Sequence, residues 1–137
     1  MADSFSLEKK YADKMIDHGR REAPNECCGI LAGTNDHIIK IYQTTNAAHS
    51  PSRYRTDPQE MLAIYEEIRE NKWQILGIYH SHTQTSAYPS TTDIKCAVLS
   101  GPIYFILSMK NPDQPVIRGF RILEGMVTET ELRIVES

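Results

Sequence analysis

The order in which helical patterns and short apolar runs follow one another leaves this chain few architectures. From Leu7 to Glu22, the residues Leu7, Tyr11, Met15 and His18 recur at helical spacing, and Pro24 stops the run. Cys27 to Gly33 is a short apolar strand, Thr34-Asn35-Asp36 a turn, and His37 to Thr45 a second strand with Ile39 and Ile41 on one face. Asn46 to Arg55 has no period and reads as a loop. Asp57 suits a helix N-cap and Pro58 the first helical position, with Met61, Leu62, Tyr65 and Ile68 as the apolar stripe behind them. Gln74 to His82 is an apolar strand that turns polar at its C-terminal end. A loop from Thr83 to Pro89 leads to a short helix over Ser90 to Leu99. Ile103 to Met109, Val116 to Leu123 and Met126 to Val135 are strands, the last two joined by a Glu124-Gly125 hairpin turn. This order predicts a mixed α/β (α+β) layer fold, a central sheet flanked by helices, with connections too short for a second domain. Residues 1–137 are expected to form one domain.

Composition narrows the function. With 40% apolar and 24% charged residues the chain matches ordinary globular proteins, and a net charge of -3 argues against nucleic-acid or membrane-surface partners. No apolar stretch reaches membrane-spanning length, and Met1 to Lys10 lacks the apolar centre of a signal peptide. Three cysteines, two of them adjacent, cannot build a disulfide framework, so a cytoplasmic setting is expected. Cys27, Cys28 and Cys96 follow no pattern that pairs a thiol with a base, and all three read as buried core residues. His18, His37 and His49 read as structural.

The chemistry lies in His80-Ser81-His82, followed by seven residues, Ser90, two more and Asp93. Strand side chains alternate faces, so His80 and His82 project together, on the side expected to carry Leu76 and Ile78. Ser90-x-x-Asp93 is a capping box at the start of the next helix, which lets the first helical turn fold a carboxylate back over the strand end. Two imidazoles and one carboxylate suit zinc and leave its fourth position open. Zinc makes a water acidic near pH 7, and a peptidase then needs a base that is not a ligand. Glu26, immediately before the first strand, is the candidate. Glu22 is near in sequence but falls in the polar last turn of the first helix.

His-Ser-His-x7-Ser-x2-Asp resembles the signature of the JAMM/MPN zinc metalloprotease family. The stretch Glu26-Cys27-Cys28-Gly29-Ile30-Leu31-Ala32-Gly33 resembles that family's first strand. The resemblance implies a fold similar to the cytidine deaminase architecture, with His80, His82 and Asp93 as ligands of Zn2+. It also implies Glu26 as the residue that activates water and Ser90 as a donor to the oxyanion. Within the family the chain is similar to short prokaryotic members that release a C-terminal cysteine from a ubiquitin-like sulfur carrier, Arg53-Tyr54-Arg55-Thr56-Asp57-Pro58 and the segment Pro115 to Ile122 being the supporting stretches. The expected partner is therefore a carrier with a glycine-ended tail. A homodimer is an expectation on family grounds only. Many members have proline after the second histidine, where this chain has Thr83.

An extended tail can pair with a sheet edge, and the segments Asn46 to Arg55 and Thr83 to Pro89 are expected to border its groove. Arg53, Arg55, Thr83 and Tyr88 are the candidate substrate contacts. Competing readings are a modifier-removing isopeptidase, a small-molecule amidase and a non-catalytic scaffold. A zinc nucleobase deaminase is excluded because the chain has no C-x-x-C.

Overall fold

The computed structural model describes residues 3–137. Seven strands and three helices follow in the order β1 (Ser4–Glu8), α1 (Lys9–Glu22), β2 (Cys28–Thr34), β3 (His37–Thr44), α2 (Pro58–Glu70), β4 (Gln74–His82), α3 (Thr91–Cys96), β5 (Ile103–Ser108), β6 (Val116–Leu123) and β7 (Met126–Val135). They build one sheet of order β1-β7-β6-β5-β4-β2-β3. β4 and β5 run parallel, as do β1 and β7, while every other neighbouring pair is antiparallel. The two hairpin turns sit in the left-handed region, Asn35 and Asp36 at φ 50 and 64, Glu124 and Gly125 at φ 51 and 80. That conformation twists a two-residue turn to match the strands it joins.

Each face of the sheet has its own core. On one face α1 buries Tyr11, Ala12 and Met15 against Leu31, Tyr79, Phe105 and Leu107. The helix lies close because Gly19 faces Leu107, where a Cβ would come within 2.7 Å of the leucine methyl. On the other face α2 sets Ile64 and Ile68 over Ile30 and Ala32, and Ile94 of α3 packs against a cluster containing Tyr104, Ile106 and Phe120. Each fully buried large apolar side chain contributes about 1.5–3 kcal/mol.

The structure corrects the expected pattern in several places, among them β3, where a bulge at Ile39 leaves that residue exposed while Ile38 and Ile41 pack into the core on the α1 side. Leu7 and Glu8 belong to a strand, not to the first helix. Phe5 and Leu7 are buried at period two, and Leu7 mimics a helical residue because it lies four positions before Tyr11. In β4 the register against β2 shifts so that Leu31 faces Gly77 and Ala32 faces Ile75. This bulge sends Leu76 to the α1 side, with Tyr79, while Ile78 stays on the side of the helix pair. Asp57 occupies the N-cap of α2 but its side chain makes no capping hydrogen bond. The buried stripe of α2 is Ile64 and Ile68, whereas Leu62 and Tyr65 are exposed. Cys96, at the end of α3, is exposed rather than buried. No helix among the described residues is long and apolar enough to cross a membrane.

Candidate metal centre

β4 carries His80 and His82 past the end of its apolar stretch, on the face that α2 and α3 cover. In register, Cys28 of β2 lies beside His80 on one flank, and Ile106 and Ser108 of β5 lie beside His80 and His82 on the other. Asp93 reaches them from the first turn of α3. The Ser90 side chain accepts from the Asp93 N–H at 3.1 Å, and the Ser90 N–H donates to Asp93 Oδ2 at 2.9 Å, so the predicted capping box is formed. The same Oδ2 faces both imidazoles. Nε2 of His80 and of His82 are 3.2 Å apart, and they lie 3.1 and 2.9 Å from Asp93 Oδ2.

This near-equilateral triangle of donors fits a small tetrahedral cation. Metal–ligand bonds of about 2.0–2.1 Å put neighbouring ligands roughly 3.3–3.4 Å apart, so the three atoms need to separate by only a few tenths of an ångström. Among the described residues His80, His82 and Asp93 are the one group of three or more such side chains able to hold an ion together.

The surroundings hold these groups in orientation. His82 Nδ1 donates to the Ser86 carbonyl at 2.8 Å, which turns Nε2 toward the centre. The loop bearing Ser86 is fixed in turn by Ser108, whose hydroxyl donates to the Thr85 carbonyl at 2.6 Å. The His80 ring stacks on Tyr54 with centroids 4.6 Å apart. Burial lowers the pKa of His80 and favours the neutral ring that binds metals. For His82 burial also acts downward, but the Asp93 hydrogen bond and the Ser86 carbonyl outweigh it and raise the ring. Burial pushes Asp93 up, and the hydrogen bonds to His80 and His82 more than reverse this, leaving it well below the usual carboxylate range. A cation competes with the protons for these same atoms.

Glu26 stands just before β2 and is buried. Burial pushes its carboxyl up to about 7, with His82 pulling it down and Asp93 pushing it further up, so the group lies in the field of the triad. A carboxyl with that proton affinity both takes and returns a proton near neutral pH. The middle residue of the histidine pair ties the two elements together. The Cys27 N–H donates to Ser81 Oγ at 2.8 Å, and the Ser81 N–H donates to the Cys27 carbonyl at 3.0 Å. Burial pushes the Cys27 and Cys28 thiols up to about 12 and about 11, so both are neutral and unreactive at pH 7.

Beside the triad lies a groove of about 540 Å3, whose wall includes Ile30, Met61, Tyr65, Ile78, Tyr104 and Asp93. The exposed Arg53 and Arg55 also line it. Tyr88 points elsewhere, its ring set edge-on to Phe120 at 5.4 Å with Arg118 above it. Thr83 donates its hydroxyl to the Pro51 carbonyl at 3.0 Å and links the two loops that border the centre. His18 is buried in α1 with Nδ1 2.7 Å from the Tyr79 hydroxyl, away from the triad. His37 and His49 are exposed, and neither belongs to the triad. Sequence reasoning missed Tyr54, Ser81 and the Ser86 carbonyl. A tyrosine between two arginines carries no sign that it stacks on a histidine, and a backbone carbonyl leaves no mark in a sequence.

Residues 8–123 match the family described as prokaryotic homologs of the JAB domain. Over 132 residues the chain is 40% identical to the CysO-cysteine peptidase of Mycobacterium tuberculosis, covering 95% of this chain and 90% of that protein. It is 34% identical over 111 residues to the desampylase of Haloferax volcanii, covering 76% and 80%. A protein from Desulfitobacterium hafniense, solved in solution, superposes with a TM-score of 0.86 at 35% identity over 97% of this chain and 94% of that one. The match over most of the chain, with the triad assembled on the strand end and the first turn of α3, makes this protein a member of the prokaryotic JAB-domain family, within the JAMM/MPN group.

Proposed function

We propose that this protein is a zinc-dependent peptidase that cleaves an amide at the C-terminal tail of a ubiquitin-like sulfur carrier, releasing a cysteine or a short extension. The observation that carries the reading is a His-His-Asp triangle of zinc-binding dimensions beside a buried glutamate that is not part of it. In this reading His80, His82 and Asp93 hold the metal. When bound, zinc supplies Lewis acidity, which makes water a competent nucleophile near pH 7. Glu26 takes the proton that the water loses and passes it to the leaving amine. Ser90 keeps its O–H hydrogen free, because its oxygen accepts from the Asp93 N–H, and that hydrogen donates to the scissile carbonyl oxygen as charge builds there. The relatives named CysO-cysteine peptidase and desampylase support a hydrolase acting on peptide-type bonds.

The groove gives the tail a place to lie, with Arg53 and Arg55 set to meet acidic groups on the carrier. Exposed ion pairs contribute about 0.2–1 kcal/mol each. The double variant Arg53→Ala/Arg55→Ala is therefore expected to raise KM for a carrier protein by about 2- to 30-fold with kcat unchanged. Steady-state kinetics on a carrier extended by one cysteine checks this, and an unchanged KM would remove both arginines from substrate binding. The desampylase relative keeps a second reading in view, removal of a ubiquitin-like modifier from a lysine side chain. Parallel assays with the cysteine-extended carrier, a lysine-linked carrier and a short amide test the proposal. Faster turnover of the first supports it, of the second favours the isopeptidase, and of the third alone contradicts both.

A further inference from the structure

Asn46 lies between the proposed base and the ring that stacks on the metal-binding His80, and its side chain is saturated. Its Nδ2 donates to the Glu26 carbonyl at 3.0 Å and to the Arg53 carbonyl at 2.9 Å. Its Oδ1 accepts from the Ala48 N–H at 2.9 Å and from the Arg55 N–H at 3.1 Å. Both ends of the amide agree on its orientation, since the donors face carbonyls and the acceptor faces N–H groups. Asn46 is 3% exposed, so these bonds exchange little with solvent.

The groups it holds all lead to the centre. Glu26 is clamped through its backbone from both directions, its N–H donating to the Ser50 carbonyl at 2.9 Å and its C=O accepting from Asn46. Arg53 and Arg55, gripped through a carbonyl and an N–H, flank Tyr54, whose ring stacks on His80. A loop without regular structure thus has one side chain fixing the separation of Glu26 from the Tyr54–His80 stack. The backbone pairing of Asn46 with Thr56 closes the loop behind it.

We propose that Asn46 is a positioning residue for turnover, holding Glu26 and Tyr54 in register with the His80–His82–Asp93 centre. The inference rests on the reading of Glu26 as the proton carrier. Two substitutions separate the donor from the acceptor half of the amide. Asn46→Asp keeps an oxygen for the Ala48 and Arg55 N–H groups but has no donor for the Glu26 and Arg53 carbonyls. Asn46→Ala removes both halves.

The test measures kcat and KM on a ubiquitin-like sulfur carrier ending in Gly-Gly and extended by one cysteine. Zinc content and thermal midpoint are measured on the same preparations, with Glu26→Gln run in parallel. Misplacing a reacting group by about 1 Å costs on the order of 100-fold in rate. Asn46→Asp is expected to lose about 10- to 100-fold in kcat with the bound zinc as in the unmodified protein, and KM is expected to rise by less than in Asn46→Ala because the Arg55 N–H keeps its acceptor. Asn46→Ala is expected to lose at least as much and to raise KM as well, because Arg53 and Arg55 are released with the loop. If Asn46→Asp does not fold, Asn46→Ala carries the test by the same loss of kcat at full zinc content. Wild-type kcat in a folded, zinc-loaded variant overturns the proposal. So does a failure of both variants to fold, or a loss of activity that follows loss of zinc, since either makes Asn46 a structural residue only. Glu26→Gln separates the two levels of the argument. Turnover surviving that change removes the reading of Glu26, whereas turnover lost there but intact in the Asn46 variants removes the role of Asn46 alone.

Discussion

Replacing Glu26 with glutamine is expected to lower kcat by about 1,000-fold, the scale of a lost general acid–base, with zinc content and KM unchanged. Glutamine keeps the shape of the side chain in its buried site, so the backbone clamps from Asn46 and Ser50 and the link from Cys27 to Ser81 remain. What disappears is the capacity to take a proton and return it. Stability provides an independent check in the metal-free protein. Burial raises the Glu26 carboxyl from its ordinary value to about 7, so the folded state favours the protonated form. The stability this group contributes is complete below its unfolded pKa and is lost as pH rises through about 7. At pH 8 metal-free Glu26→Gln is therefore expected to melt no lower than the unmodified chain, and calorimetry on both reads this directly. A variant that lost activity through misfolding would melt lower and lose zinc.

The second large effect follows from the ligand triangle. Asp93→Asn is expected to abolish zinc retention and to reduce peptidase activity to background. The change is selective, because an amide oxygen still accepts the Ser90 N–H that now bonds Oδ2, so the start of α3 keeps its cap. What is lost is the anionic donor 3.1 and 2.9 Å from the two imidazoles. In the unmodified protein, zinc at 1,000 times its Kd adds about 4 kcal/mol of stability, or a Tm higher by roughly 10–15 °C for a domain of this size. Chelation should remove that increment from the unmodified protein and leave the Asp93→Asn midpoint where it was. A chelator-sensitive midpoint in Asp93→Asn would mean that the metal sits elsewhere.

Much of this architecture is legible in the sequence because it is written in short-range periodicity. The strands after the first helix, the two left-handed hairpin turns and the Ser90–Asp93 cap all follow from residues within a few positions of one another. The clustering of His80, His82 and Asp93 is legible for the same reason: alternation brings His80 and His82 to one face, and the cap brings Asp93 to the helix start. The illegible parts depend on partners far along the chain. β1 is stable as a strand because β7 pairs with it, more than a hundred residues later. Leu76 changes faces because of a bulge against β2, which alternation within β4 cannot reveal. Cys96 is exposed because α3 ends there and the chain turns away at Ala97, so its residue type misleads. Asn46 sits in a stretch with no period at all, and its role exists only through the four backbone groups that the folded loop brings to its amide.

If His80, His82 and Asp93 hold a metal that drives hydrolysis of a ubiquitin-like carrier's tail, the reaction must depend on that metal and on Glu26 together. The most direct measurement is intact mass of a sulfur carrier bearing one extra C-terminal cysteine, incubated with the metal-stripped protein before and after zinc is restored. The predicted result is a single product lighter by that residue, formed after zinc is added, suppressed again by chelation and missing with Glu26→Gln. A carrier that keeps its mass in the presence of protein shown to hold one zinc per chain would exclude this activity.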